Sequence, residues 1–174
     1  MFKIFAIALL IAVAAFLIYA AAKPDAFRIE RTRSINAPPQ TLFVLVNDLH
    51  RFNGWNPFAQ QDPSLKIAYS GPGSGVGAAY TWNGSGKSGA GRMEITASSP
   101  PSRVAMRLDF SKPFEAHNKV EFSITPDGPA SKVTWTMTGR NGYMHKVMGT
   151  LFNMDKMVGG EFDKGLGNLQ SVAE

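Results

Sequence analysis

Three histidines, His50, His117 and His145, are the side chains best suited to move a proton or bind a metal near neutral pH. No two of them stand at a metal-ligand spacing, and the chain has no cysteine to complete a site. Lack of cysteine also removes thiol nucleophiles, disulfides and iron–sulfur clusters. His117 alternates with Glu115, Lys119 and Glu121 on what reads as the wet face of a strand. His145 opens a C-terminal helix. His50 precedes Trp55 in an aromatic turn and is the one conceivable general acid or base. The residues give no basis for a catalytic group, a metal site or a cofactor.

Two glycine-rich stretches invite phosphate chemistry and fail on context. Gly73-Ser74-Gly75-Val76-Gly77-Ala78 has the Gly/Gly/Ala spacing of a dinucleotide loop. It leads into the strand pattern Tyr80-Thr81-Trp82, where that loop must open a helix. Gly86-Lys87-Ser88 has the ending of a phosphate-binding loop, but Thr81 stands where the earlier glycine is required. Asn83-Gly84 signals a hairpin turn instead. With Ser85 it forms a glycosylation sequon, relevant only in a glycosylating secretory host. No Gly-x-Ser-x-Gly elbow occurs.

Recognition of an apolar ligand is the chemistry with the most residues behind it. Tyr80, Trp82, Met93, Met106, Phe110, Phe122, Trp135 and Met137 fall on inward strand phases. Met154, Met157 and Phe162 face them from the C-terminal helix, and Trp55 stands in the turn that follows the early helices. An apolar, adaptable lining with a few polar groups suits a ligand cavity. An ordinary dry core has the same pattern. Asn118 lies on the apolar phase between Ala116 and Val120, where a buried amide needs a partner: ligand, water or backbone. Arg31 and Arg33 share the phase of Ile29 and Ile35. They could fork a ligand carboxylate, though a strand at the sheet rim would leave them solvated. Gly159, Gly160, Gly165 and Gly167 interrupt the last helix, and each costs up to about 1 kcal/mol there relative to alanine. Close packing on Trp82 or Trp135, room for a ligand, or a bend would offset that.

The elements that must position these residues follow from periodicity. Phe27–Ile35 reads as a strand, stopped by Asn36-Ala37-Pro38-Pro39. Leu42, Phe43, Leu45 and Val46 give a short helix, and Asp48–Pro57 a second short helix and a turn. Alternating strands follow around 65–69, 78–82, 93–95, 104–110, 120–124 and 133–137. Val147, Leu151, Met154, Val158, Phe162, Leu166, Leu169 and Val172 recur as the stripe of one long helix. One wet and one buried face mean an antiparallel sheet, and the last helix is its only large partner.

From Ile4 to Ala22 the sequence has no charge; as a helix that run spans about 28 Å, close to a bilayer core of about 30 Å. We expect a transmembrane anchor over residues 1–23, with a cleaved signal peptide as the alternative, and a domain over 24–174. Lys and Arg are commoner after the segment than before it, which favours a cytoplasmic domain, while a very short N-terminal tail permits the reverse. The 174-residue chain carries a formal charge of +5. Lys23, Arg28, Arg31 and Arg33 could meet anionic headgroups or form a polar strand edge. No basic run is interleaved with aromatics, so nucleic acid is not expected as a partner.

The order strand, two short helices, six strands, long helix resembles the helix-grip fold of the START-like (SRPBCC) superfamily. Within it the chain is similar to the polyketide cyclase/dehydrase and lipid-transport branch. The carrying residues are Ser34–Pro38, Asp48–Pro57, Tyr69–Ala78, Phe110–Phe114, Val133–Met137 and Asn153–Met157. The resemblance implies an α+β fold: a curved seven-stranded antiparallel sheet around a long C-terminal helix, here behind one transmembrane helix. It implies a cavity between sheet and helix that takes a hydrophobic small molecule or lipid, with His50 near its mouth. Two other functions fit the same fold: a cyclase, aromatase or dehydratase, and a closed-core scaffold.

Overall fold

A computed structural model describes residues 2–84 and 88–174. The Gly86-Lys87 part of the phosphate-loop candidate and Ser85 of the sequon lie outside them. The chain opens with helix α1 (Phe2–Ala21), continues through β1 (Ala26–Ile35), and then packs three short helices, α2 (Pro39–Asn47), α3 (Leu49–Trp55) and α4 (Pro57–Gln60). Six strands follow: β2 (Lys66–Ser70), β3 (Ala79–Asn83), β4 (Ala90–Ser99), β5 (Arg103–Lys112), β6 (Ala116–Asp127) and β7 (Ala130–Arg140). Helices α5 (Tyr143–Leu151) and α6 (Met154–Ala173) end the chain.

The strands form one antiparallel sheet in the order β1-β7-β6-β5-β4-β3-β2. Only β1 is out of sequence, so every other pairing is a local hairpin. The sheet's inner face and α6 enclose a core that includes Phe52, Trp55, Phe122, Phe162, Leu166 and Leu169. The β3–β4 hairpin joins Asn83 to Ala90, a longer connection than the tight turn that Asn83-Gly84 suggests. Gly73–Ala78 is no nucleotide loop: Gly75 N–H donates to Asn47 O at 3.0 Å and Gly77 N–H to Ile95 O at 2.9 Å, docking the loop on α2 and β4.

Two elements differ from the sequence pattern. The single C-terminal helix expected from Val147 to Val172 breaks at Phe152–Asn153. Asn153 caps α6, its side chain accepting from Lys156 N–H at 2.9 Å. Asn56 likewise caps the extra turn α4 through Phe58 N–H at 3.2 Å.

Arg31 and Arg33 both reach α6, Arg31 half-buried and Arg33 still exposed to solvent. Arg31 reaches from β1 to Asp155 at 3.0 Å and Asp163 at 3.2 Å on α6, and Arg33 Nε donates to Gln170 at 2.7 Å. The Arg31 guanidinium lies directly beneath Gly159, where a Cβ would collide with it. Gly165 sits over Trp135 and Pro57. These two glycines let α6 approach the sheet, whereas a Cβ on Gly160 would meet nothing within 4 Å.

Lys3–Ala21, within α1, is a 19-residue stretch long and apolar enough to cross a membrane; a signal sequence passes the same test. Its last turn is tied to α5. Lys23 Nζ donates to Gly149 O at 2.8 Å, and Lys146 Nζ to Ala21 O at 3.2 Å. Lys146 also pairs with Asp25, and Asn141 Nδ2 donates to Pro24 O at 3.2 Å. A cation on the last carbonyls of a helix complements its dipole.

Candidate functional site: a chamber between sheet and helix

Inward side chains of five strands meet α6 across a gap that they do not fill. Cross-strand register places Tyr80 opposite Met93, Met93 opposite Leu108, Val120 opposite Met137 and Phe122 opposite Trp135. Above them the Trp135 indole stacks on Phe162 of α6, with ring centroids 4.2 Å apart and planes 7° from parallel. That pair forms the roof at one end, and such a stack adds about 1 kcal/mol beyond burial. Trp82 and Phe110 meet edge to face at 5.4 Å at the other end. Gly91 makes room there, since a Cβ would strike the Trp82 ring. Between these walls lies a cavity of about 430 Å³.

Among the described residues, the chamber wall has no charged side chain. Polar groups come from Tyr80, Asn56, Gln61 and Ser88. Tyr80 is buried, and burial pushes its phenol far above the usual tyrosine range, with Tyr69 a smaller influence. The phenol stays neutral, and its hydroxyl has no hydrogen-bond partner among the described residues. The Trp135 Nε1–H is fully shielded and also lacks an acceptor there. Both are donors that nothing in the described fold uses.

Eight of the residues singled out by sequence meet at this chamber: Tyr80, Trp82, Met93, Phe110, Trp135, Met137, Met154 and Phe162. Trp55, Met106 and Phe122 stand behind the wall in solid core, each no more than 1 % exposed. Trp55 spends its N–H on Leu45 O at 3.0 Å. Asn118 faces a second cavity of about 710 Å³ next to the chamber. Its carbonyl oxygen occupies the space a Cβ would take on Gly139. Met157 is exposed at 59 %. Phe52, Phe58 and Leu65 also line the chamber. Strand alternation could not show Phe52 and Phe58, because they come from short helices, whereas Leu65 keeps the phase of Ile67 and Tyr69 but lies just before β2.

His50 and His117 lie elsewhere, and the side chain of His145 is outside the described set. His50 stacks on Tyr69 at 3.6 Å, outside the chamber. His117 sits on the outer sheet face, 2.8 Å from Asp109 and 3.3 Å from Glu115. The Asp109 carboxylate, more than Glu115, raises its pKa above 6.5. Among the described residues, no group of three or more His, Asp or Glu side chains could hold a metal.

A curved antiparallel sheet gripping a long helix, with a hollow between them, defines an α+β helix-grip protein. Residues 26–174 match the family model for polyketide cyclase / dehydrase and lipid transport, and the chain belongs to that family. Solved structures share the fold. MLL2253 from Mesorhizobium loti is 14% identical, with 84% of this chain and 96% of its own covered, at a TM-score of 0.62. CV1439 from Chromobacterium violaceum is 12% identical, covering 87% and 99%, at 0.60. Ara h 8.0201 is 14% identical, covering 84% and 99%, at 0.56. At such identities the likeness concerns the fold alone. No curated protein matches the chain in sequence.

Proposed function

We propose that the chain is held at a membrane by residues 1–23 and that the domain over 24–174 binds a hydrophobic small molecule or lipid in its chamber. The chamber carries this reading. Its volume of about 430 Å³ falls within the roughly 300–1,000 Å³ typical of small-ligand sites. Apolar ligand surface buried there contributes about 25 cal/mol per Å². Tyr80 supplies a neutral hydroxyl for orientation.

The hydrogen bond from Lys146 on α5 to Ala21 O at the end of α1 supports an uncleaved anchor, because a removed leader needs no partners in the fold. Cyclase, aromatase or dehydratase chemistry requires an acid or base near the substrate. The titratable group in the described chamber wall is Tyr80, held neutral by burial, which favours binding over proton transfer. A closed-core scaffold would not need the open volume.

Titration of the full chain with an apolar fluorophore such as anilinonaphthalene sulfonate tests the proposal. We expect saturable binding that the Met137→Trp substitution weakens at least about tenfold by filling the chamber. Absence of saturable binding would refute it.

A further inference from the structure

The second cavity has a wall chemistry unlike the chamber's. Five cations line it, Lys23, Arg28, Lys112, Arg140 and Lys146, against one carboxylate, Asp155. Much of this charge is answered inside the fold: Arg28 by Glu30, Lys146 by Asp25, and Asp155 by Arg31. Lys23, Lys112 and Arg140 form no ion pair among the described residues. Phe110, Met137, Met154 and Val158 line both cavities. An uncharged chamber and a cationic vestibule therefore lie side by side, with these four apolar side chains between them.

The vestibule also borders the apolar helix. Lys23 and Pro24, directly after α1, form part of its wall, opposite Leu151 and Phe152 at the end of α5. Leu151 is 62 % exposed, Phe152 50 % and Phe114, on the β5–β6 hairpin, 53 %. Large apolar side chains around a cationic opening, continuous with an apolar helix, match the layering of an anionic bilayer surface.

We propose that the vestibule admits an anionic amphiphile directly from the bilayer, its chain entering the chamber and its head group resting on Lys23, Lys112 and Arg140. This deepens the binding function proposed above and rests on it. Uniform apolar binding would need no cationic vestibule, whereas a head group with a negative charge uses the cations that the described fold leaves without a carboxylate partner.

The test uses the full chain in phosphatidylcholine vesicles, with pyrene-dodecanoic acid and its neutral methyl ester as probes. Energy transfer from Trp82 and Trp135, both in the chamber wall, reports occupancy. We expect the acid to bind at least about tenfold tighter than the ester, since each cation near an anionic head is worth roughly fivefold. The double variant Lys112→Gln, Arg140→Gln, checked for folding by circular dichroism, should reduce that preference to no more than about fivefold, the share of Lys23 alone. Acid carried in the protein's own vesicles should load at least about tenfold faster than acid carried on separate ones. Equal affinities, an acid preference that the double substitution leaves undiminished, or equal loading rates would each overturn the proposal while leaving chamber binding intact. Failure of both probes to bind would overturn the binding function along with it. If Leu151→Glu abolishes self-association of the chain and the acid shows no preference, the rim is a contact between copies, and the proposal falls.

Discussion

Replacing Gly165 by alanine isolates the contact that sets the spacing of α6 over the sheet. The new Cβ would lie 2.6 Å from Trp135 Cζ3 and 3.0 Å from Pro57 Cδ. Carbon atoms pack best at about 3.5–4.0 Å, so the helix or the indole must give by about 1 Å. Neither yields cheaply: Trp135 is clamped between Phe162 and Phe122, with ring centroids at 4.2 and 4.8 Å, and Pro57 is buried at the start of α4. Overpacking of this kind costs about 1–3 kcal/mol, and the helix propensity of alanine returns up to about 1 kcal/mol. The expected net loss is about 1–2 kcal/mol, or a fall in Tm of roughly 2–8 °C for a domain this size. Gly160→Ala is the internal control. Nothing lies within 4 Å of its Cβ position, so only the propensity gain of up to about 1 kcal/mol applies and Tm should rise. Thermal melts of the detergent-solubilised full chain, followed by circular dichroism, read both signs. A Gly165→Ala protein as stable as Gly160→Ala would refute close contact between α6 and the Trp135 plate.

Tyr80→Phe is expected to keep or raise stability, by up to about 1 kcal/mol in urea denaturation, because the hydroxyl it removes has no partner in the described fold. His117 should titrate above 6.5 by NMR, raised by Asp109. A raised folded pKa means its stabilising contribution is complete below 6.5 and disappears as pH rises through the folded value; His117→Asn should abolish that part of the pH dependence. Asp155 is held below 3.8 chiefly by its hydrogen bond to Arg31. Its contribution is present above 3.8 and lost as pH falls through the lower folded value, so urea midpoints of wild type and Arg31→Met should converge in acid. Midpoints that stay equally far apart at low pH would count against this ion pair.

Strands were legible in the sequence because a half-buried antiparallel sheet imposes period two on Tyr80, Met93, Leu108, Val120 and Trp135. The break before α6 was not, because Leu151 and Met154 keep helical spacing across it. Asn153, a good cap, is its only local sign. The role of Arg31 depends on Asp155 and Asp163, whose partnership with β1 exists only after the chain folds. Chamber residues on strands could be found by alternation. Phe52 and Phe58 could not, because their facing depends on how short helices dock. The vestibule was invisible for the same reason: it forms where the end of α1, the tip of the β5–β6 hairpin and α5 converge.

Mass spectrometry of what the full chain carries out of its membrane tests the central claim most directly. Wild type, purified gently in a mild non-ionic detergent, should retain an apolar molecule at close to one per chain, and Met137→Trp should retain far less. Equal retention by both, or an empty wild-type protein, would contradict a ligand-binding chamber.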